Sequence, residues 1–225
     1  MRNSARVFVA EFIGTFLLVF AGVGAIVQNA YRDGSVGLLG IAAAQGLAFA
    51  VGVSATMGIS GGHLNPAVTL GLWSVGRIDV KKAGLYLLAQ LLAGVVAALA
   101  VKSLYPEMAG VASRFGTPGL ASDVTMAQGI IVEAILTFLL LFAFMGTAVD
   151  SAAPKLAGLG VGLTVFMGII AAGNITGAAM NPARAFGPAL VSGSWTGQAV
   201  YWIGPILGGI LACQVHERLL MKKDA

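Results

Sequence analysis

One tripeptide occurs twice in the chain, as Asn65-Pro66-Ala67 and as Asn181-Pro182-Ala183. Asn is among the best helix N-caps, because its side-chain carbonyl accepts from the first free amides of the helix. Pro is favoured one residue later, where its missing N–H would have had no partner. Each motif therefore predicts the start of a short helix, over 66–76 and 182–192. While the carbonyl caps, the Asn NH2 group can donate to a passing oxygen. Arg184 follows the second motif directly, with a permanent charge and up to five donors. Glu11 and Glu133 lie within apolar stretches, where an ionisable group is costly and marks a candidate functional position. No nucleophile–base pair stands out, so no enzyme is expected. One cysteine, Cys213, and two histidines, His63 and His216, give no basis for a disulfide, a metal cluster or a bound cofactor. The chemistry on offer is hydrogen bonding to a neutral polar solute and electrostatic sorting of ions.

The elements that must position these groups lie in a bilayer. Only 10% of the 225 residues are charged, against roughly 25% in soluble domains. Hydrophobic residues make up 58% and mean hydropathy is +0.91. These values exclude a disordered chain, argue against an ordinary soluble enzyme and indicate an integral membrane protein. The pI near 9.5 does not point to nucleic acid. Nucleic-acid binders gather Lys and Arg on one face, and here they edge apolar blocks. Six such blocks, 7–29, 36–58, 82–102, 124–148, 156–174 and 197–220, each approach the ~20 residues a spanning helix needs. They show no two-residue alternation, so strands are not expected. With both termini cytoplasmic, the inside segments hold Arg2, Arg6, Arg77, Lys81, Lys82, Lys155, Arg218, Lys222 and Lys223, and the outside holds Arg32, Lys102, Arg114 and Arg184. This bias favours six crossings of a cell membrane, plasma or inner, with both ends inside.

The sequence also repeats. Ala10–Phe20 aligns with Val132–Phe142, pairing Glu11 with Glu133 and Thr15 with Thr137, and Ser60–Gly71 aligns with Thr176–Gly187. Each copy, about 1–108 and 120–225, holds three crossings, so the second is inserted upside down within one channel-like domain spanning 1–225. Inverted repeats place a functional site at their interface near the midplane. There the two short helices enter from opposite sides with their N-termini meeting. Each terminus is equivalent to roughly half a positive charge, which repels cations. The preceding runs, Gly61-Gly62-His63-Leu64 and Gly177-Ala178-Ala179-Met180, are then re-entrant backbone exposing carbonyls along one wall. Such backbone is tolerated only inside protein or beside a water-filled cavity.

On these residues, and on the Ala10-Glu11 opening and the Gly62–Thr69 run around His63, the chain resembles the aquaporins of the major intrinsic protein family over nearly its whole length. The resemblance implies an all-α membrane protein, a right-handed bundle of six helices plus two re-entrant half-helices. It implies a homotetramer with one pore per subunit and passive flux of water and small neutral solutes. It carries the family's selectivity ring onto Gln45, Ile169, Ala178 and Arg184. Strict water channels of the family have aromatic and His side chains where Gln45 and Ile169 stand. Glycerol channels have Trp and Phe there, with Asp after the Arg, where this chain has Ala185. Ile, Ala and Arg look most like the plant tonoplast intrinsic proteins, which have His at the Gln45 position. That group implies water, with ammonia, urea or hydrogen peroxide as companions.

Two alternatives stand beside a water channel. One is a glycerol or small-polyol facilitator. The other is a proton-coupled secondary transporter using Glu11 or Glu133, since inverted repeats with broken helices serve transporters too. Otherwise both carboxylates support the re-entrant backbone, as the resemblance also implies, and His63 packs in the same network.

Overall fold

The computed structural model describes residues 2–150, 152, 156 and 158–221. Lys155, Lys222 and Lys223, assigned above to one membrane side, lie outside them. The described residues are mostly helical, with no strand among them. The long helices are α1 (Arg2–Tyr31), α2 (Gly37–Ser60), α4 (Val80–Leu104), α6 (Met126–Phe144), α7 (Gly158–Thr176) and α9 (Val200–Val215), with half-length α3 (Pro66–Ser74) and α8 (Pro182–Ser192) between them and a one-turn α5 (Glu107–Ala112). Several starts are explained by side-chain caps. Asp79 accepts from the Lys82 amide, and Thr125 and Gln128 form a reciprocal capping box.

Among the described residues, five helices, α1, α2, α4, α6 with its continuation to Val149, and α7, are long and apolar enough to cross a membrane. The sixth block is less regular. α9 has 16 residues, and a wide-turn π-helix, His216–Leu220, extends it by five to roughly 30 Å. Its interior Pro205 and its polar end Gln214–Glu217 lower its hydropathy. Burial is reversed relative to a soluble domain. Leu39, Leu47, Ile131, Leu163 and Leu211 are exposed, whereas Glu11, Thr15, Asn65, Thr69, Gln90, Glu133, Thr137 and Thr176 are sealed inside. Apolar side chains outside and hydrogen-bonding groups within are what a hydrocarbon solvent requires, and the chain is a multi-pass membrane protein.

Glycines set how the two repeats interlock. A Cβ at Gly162 would overlap the Gly46 carbonyl, and one at Gly46 would come within 2.7 Å of the Gly162 carbonyl, so α2 and α7 touch backbone to backbone. Gly158 and Gly162 therefore serve a contact within the chain, as do Gly204 and Gly208 against α6. The half-helices cross over. α3 packs on α9 of the other repeat, where a Cβ at Gly71 would lie 3.0 Å from the Gly209 carbonyl. α8 packs on α4, where a Cβ at Gly94 would lie 2.6 Å from the Ala183 carbonyl. Each short helix is thus gripped by the opposite repeat, which brings the two N-termini together.

Candidate functional site

The runs before α3 and α8 take the same strained path. Gly61, Gly62 and Leu64 have φ of 90°, 62° and 51°, and Gly177, Ala178 and Met180 have φ of 83°, 44° and 52°. A side chain in the left-handed region costs about 1–3 kcal/mol and persists only when its surroundings impose it. Here the two carboxylates impose it. Glu11 accepts from the His63 amide (3.0 Å), the Leu64 amide (2.7 Å), Ser60 Oγ (2.6 Å) and Gln90 Nε2 (2.8 Å). Glu133 accepts from the Ala179 amide (2.9 Å), the Met180 amide (2.7 Å) and Thr176 Oγ1 (2.7 Å). A tyrosine closes each turn, with Tyr86 donating to the Ser60 carbonyl at 2.5 Å and Tyr201 to the Thr176 carbonyl at 2.7 Å.

At the centre the halves are stitched together. Asn65 caps α3 through its carbonyl, which accepts from the Ala67 amide at 2.8 Å, and its Nδ2 donates to the Met180 carbonyl at 2.8 Å. Asn181 caps α8 on the Ala183 and Arg184 amides and donates to the Leu64 carbonyl at 2.9 Å. From sequence, the NH2 group of each Asn is available to a passing oxygen. The structure commits one of its hydrogens to the opposite loop and leaves one. Leu64 and Met180 likewise spend one carbonyl lone pair on this stitch and keep the other. α3 ends at Ser74, two residues before its predicted end. α8 spans its predicted range.

Arg184 is 2% exposed and donates Nε to Gln45 Oε1 at 3.0 Å and Nη1 to the Gly116 carbonyl at 2.8 Å. Ile169 and Ala178 are buried in one core cluster with Met180. The loop supplying Gly116 was not foreseen. Arg114, Phe115 and Gly116 are all left-handed, with φ of 49°, 47° and 73°, which turns the chain back over α8. Phe115 fills the space at Gly110, and Thr117 Oγ1 lies 2.9 Å from Ser192 Oγ.

On the side of the chain termini a cavity of about 430 Å³ opens, lined among others by Ser60, His63, Arg77, Lys82, Tyr86 and Phe144. His63 Nδ1 lies 3.1 Å from Thr69 Oγ1, and Gln90 Nε2 bridges Thr69 to Glu11. Its ring packs edge-on against Tyr86 and Phe144. Arg77 makes a two-pronged ion pair with Glu217 at 3.0 and 3.1 Å, tying the turn after α3 to the end of α9.

The structure therefore brings both Asn-Pro-Ala motifs, both carboxylates, His63, Gln45 and Arg184 into contact. Sequence reasoning missed Tyr86, Tyr201, Gln90 and Gly116. For the tyrosines a signal existed: Tyr86 and Gly94 recur at the same spacing as Tyr201 and Gly209, extending the repeat into its third crossing. Gly116 acts through its backbone and leaves no side-chain signal.

Two half-length helices, tip to tip inside a bundle of membrane-crossing helices, define a channel-type membrane protein. The comparisons with known proteins give the family. The family model described as Major intrinsic protein matches residues 1–216. Aquaporin TIP4-1 of Arabidopsis thaliana is 48% identical, over 97% of this chain and 87% of the relative, and Aquaporin TIP4-4 of Zea mays is 46% identical, over 96% and 87%. The solved aquaglyceroporin of Plasmodium falciparum superposes with a TM-score of 0.84 at 28% identity, covering 96% of this chain and 97% of that one. The chain belongs to the major intrinsic protein family, the aquaporins, whose members are channels and not enzymes.

Proposed function

We propose that this protein is a passive water channel whose conducting path runs between the two re-entrant runs and past Arg184. One observation carries the reading: Asn65 and Asn181 reach across to the opposite loop at 2.8 and 2.9 Å, which holds two positive helix ends face to face in a buried site. Cations meet two half-charges and the full charge of Arg184. A water meets one free Asn N–H from each half and a run of carbonyls from Gly61–Leu64 and Gly177–Met180. Gln45, Ile169, Ala178 and Arg184 form the outer ring. With Ile169 in place of an aromatic or imidazole ring, ammonia, urea and hydrogen peroxide are companion solutes, and glycerol entry is the competing outcome. Glu11 and Glu133 are backbone anchors. All four lone-pair directions of Glu11 are filled by donors, which supports a channel over a proton-coupled carrier.

One chain of 1–225 forms one channel domain of two inverted repeats, in a homotetramer with lipid around it. The Lys and Arg bias supports cytoplasmic termini in a cell membrane. The relatives named as TIP fit an internal membrane equally, and cell fractionation decides. Stopped-flow light scattering on proteoliposomes tests the function. Water flux above that of empty vesicles, unsaturated and independent of a proton gradient, is expected. Shrinkage no faster than empty vesicles, with folded protein present, rejects it.

A further inference from the structure

Gly22 on α1 lies against the Gln45 side chain. A Cβ there would stand 2.6 Å from Gln45 Cγ, 2.9 Å from Cδ and 3.1 Å from Oε1. Gly22 is helical, so no dihedral angle requires glycine. A helix-interior glycine costs about 0.5–1 kcal/mol relative to alanine, and what it provides here is the space Gln45 occupies. In that space the Gln45 oxygen accepts from Arg184 Nε at 3.0 Å. The orientation of the amide is settled by chemistry, because a guanidinium has donors only and the oxygen must face it. The NH2 end then points away. Gln45 Nε2 and Arg184 Nη2 have no acceptor among the described residues, and neither belongs to the polar atoms sealed without a partner, so both open onto free space. The remaining ring side chains, Ile169 and Ala178, are hydrocarbon.

We infer that Gly22 is a positioning residue for solute selectivity. By making room for Gln45 it fixes the amide with its oxygen on Arg184 and its NH2 toward the lumen. The ring's side chains then offer donors and no acceptor. Beyond water, such a ring selects solutes that present an oxygen to it, and the class that does so with a carbonyl between small groups is that of urea. The inference rests on the proposal that the ring lies in the conducting path.

The test is a double-mutant cycle in proteoliposomes, reading the ratio of urea to water permeability for wild type, Gly22→Ala, Gln45→Ala and the double variant. Gly22→Ala is expected to displace Gln45 and lower the ratio about three- to tenfold, the worth of one hydrogen bond. The same change in the Gln45→Ala background is expected to leave the ratio unmoved, because the group it displaces is gone. Gln45→Glu, of nearly equal volume, keeps an oxygen for Arg184 but replaces the lumen donor with an acceptor, and should lower the ratio in the same direction. This variant decides the matter if Gly22→Ala does not fold. Equal effects of Gly22→Ala with and without Gln45, an unchanged ratio in Gln45→Glu, or a wild type that conducts water but no urea overturns the inference and leaves the water reading intact. A wild type that conducts neither overturns both.

Discussion

In the first repeat Glu11 holds its loop with four donors, and in the second Glu133 holds the equivalent loop with three. The fourth donor is Gln90, one turn beyond Tyr86. The residue one turn beyond Tyr201 is Pro205, which has no side-chain amide. A second difference sits after the motifs, where one half has Val68 and the other Arg184 at the equivalent position. The common set that shapes both loops is carboxylate, Ser or Thr hydroxyl, tyrosine, capping Asn and glycine contacts. The polar groups beyond this shared set are not duplicated. Arg184 and Gln45 stand on one side of the midplane, and the His63–Thr69–Gln90 cluster on the other. A duplicated scaffold can hold two strained loops by one solution while leaving each mouth free to take its own chemistry.

Removing an anchor should have the largest effect. Each hydrogen bond to a carboxylate is worth about 1.5–3 kcal/mol, so Glu11→Ala and Glu133→Ala each approach the whole stability of a protein, about 5–15 kcal/mol. Neither variant is expected to give folded protein by size exclusion in detergent. A folded, conducting Glu133→Ala would show that the second loop holds itself and would break the equivalence of the halves.

Arg184→Val gives the second half the residue that the first has at Val68. A like charge a few ångströms away costs an entering cation about 4 kcal/mol under partial screening. Sodium leak should rise at least about tenfold, with water flux kept. No rise would move the ion barrier to the helix ends alone.

Gln90→Leu makes Glu11 a three-donor anchor like Glu133. The expected loss is about 1.5 kcal/mol, the low end for a hydrogen bond to a charged group, read as a lowered denaturation midpoint with conduction retained. An unchanged midpoint would make the fourth donor redundant.

The smallest effect belongs to the Arg77–Glu217 pair, whose side chains are 37% and 29% exposed. Exposed pairs contribute about 0.2–1 kcal/mol, so Glu217→Gln should leave water flux unchanged and shift stability by less than 1 kcal/mol. A clear change in flux would assign a gating part to this mouth.

Much of this was legible in one dimension. The crossings follow from apolar length, the half-helices from Asn-Pro starts too short to span, and the inversion from three crossings per repeat. Glu11 and Glu133 stood out because a carboxylate in hydrocarbon demands a reason. The partners of those carboxylates did not. Backbone amides carry no side-chain signature, and Gln90 lies among alanines and leucines that read as ordinary lipid-facing helix. The last apolar block, 197–220, was legible from its length, but its regular helix α9 covers only 16 of those residues, with a π-helix completing it. The one-turn α5 and the left-handed Arg114–Gly116 turn were missed, because residue type alone does not announce a positive φ outside glycine.

Residue order alone determined the class of solvent, the number of crossings, the caps, and the pairing of one half with the other, since each follows from local composition or from self-similarity. Tertiary structure decided which lone pairs and N–H groups remain unspent. Only with both repeats assembled does each Asn lose one hydrogen to the opposite loop, Gln45 give its oxygen to Arg184, and Gly22 become the space that allows it. These are competitions among donors and acceptors from distant parts of the chain, and a string of residue types does not contain their distances.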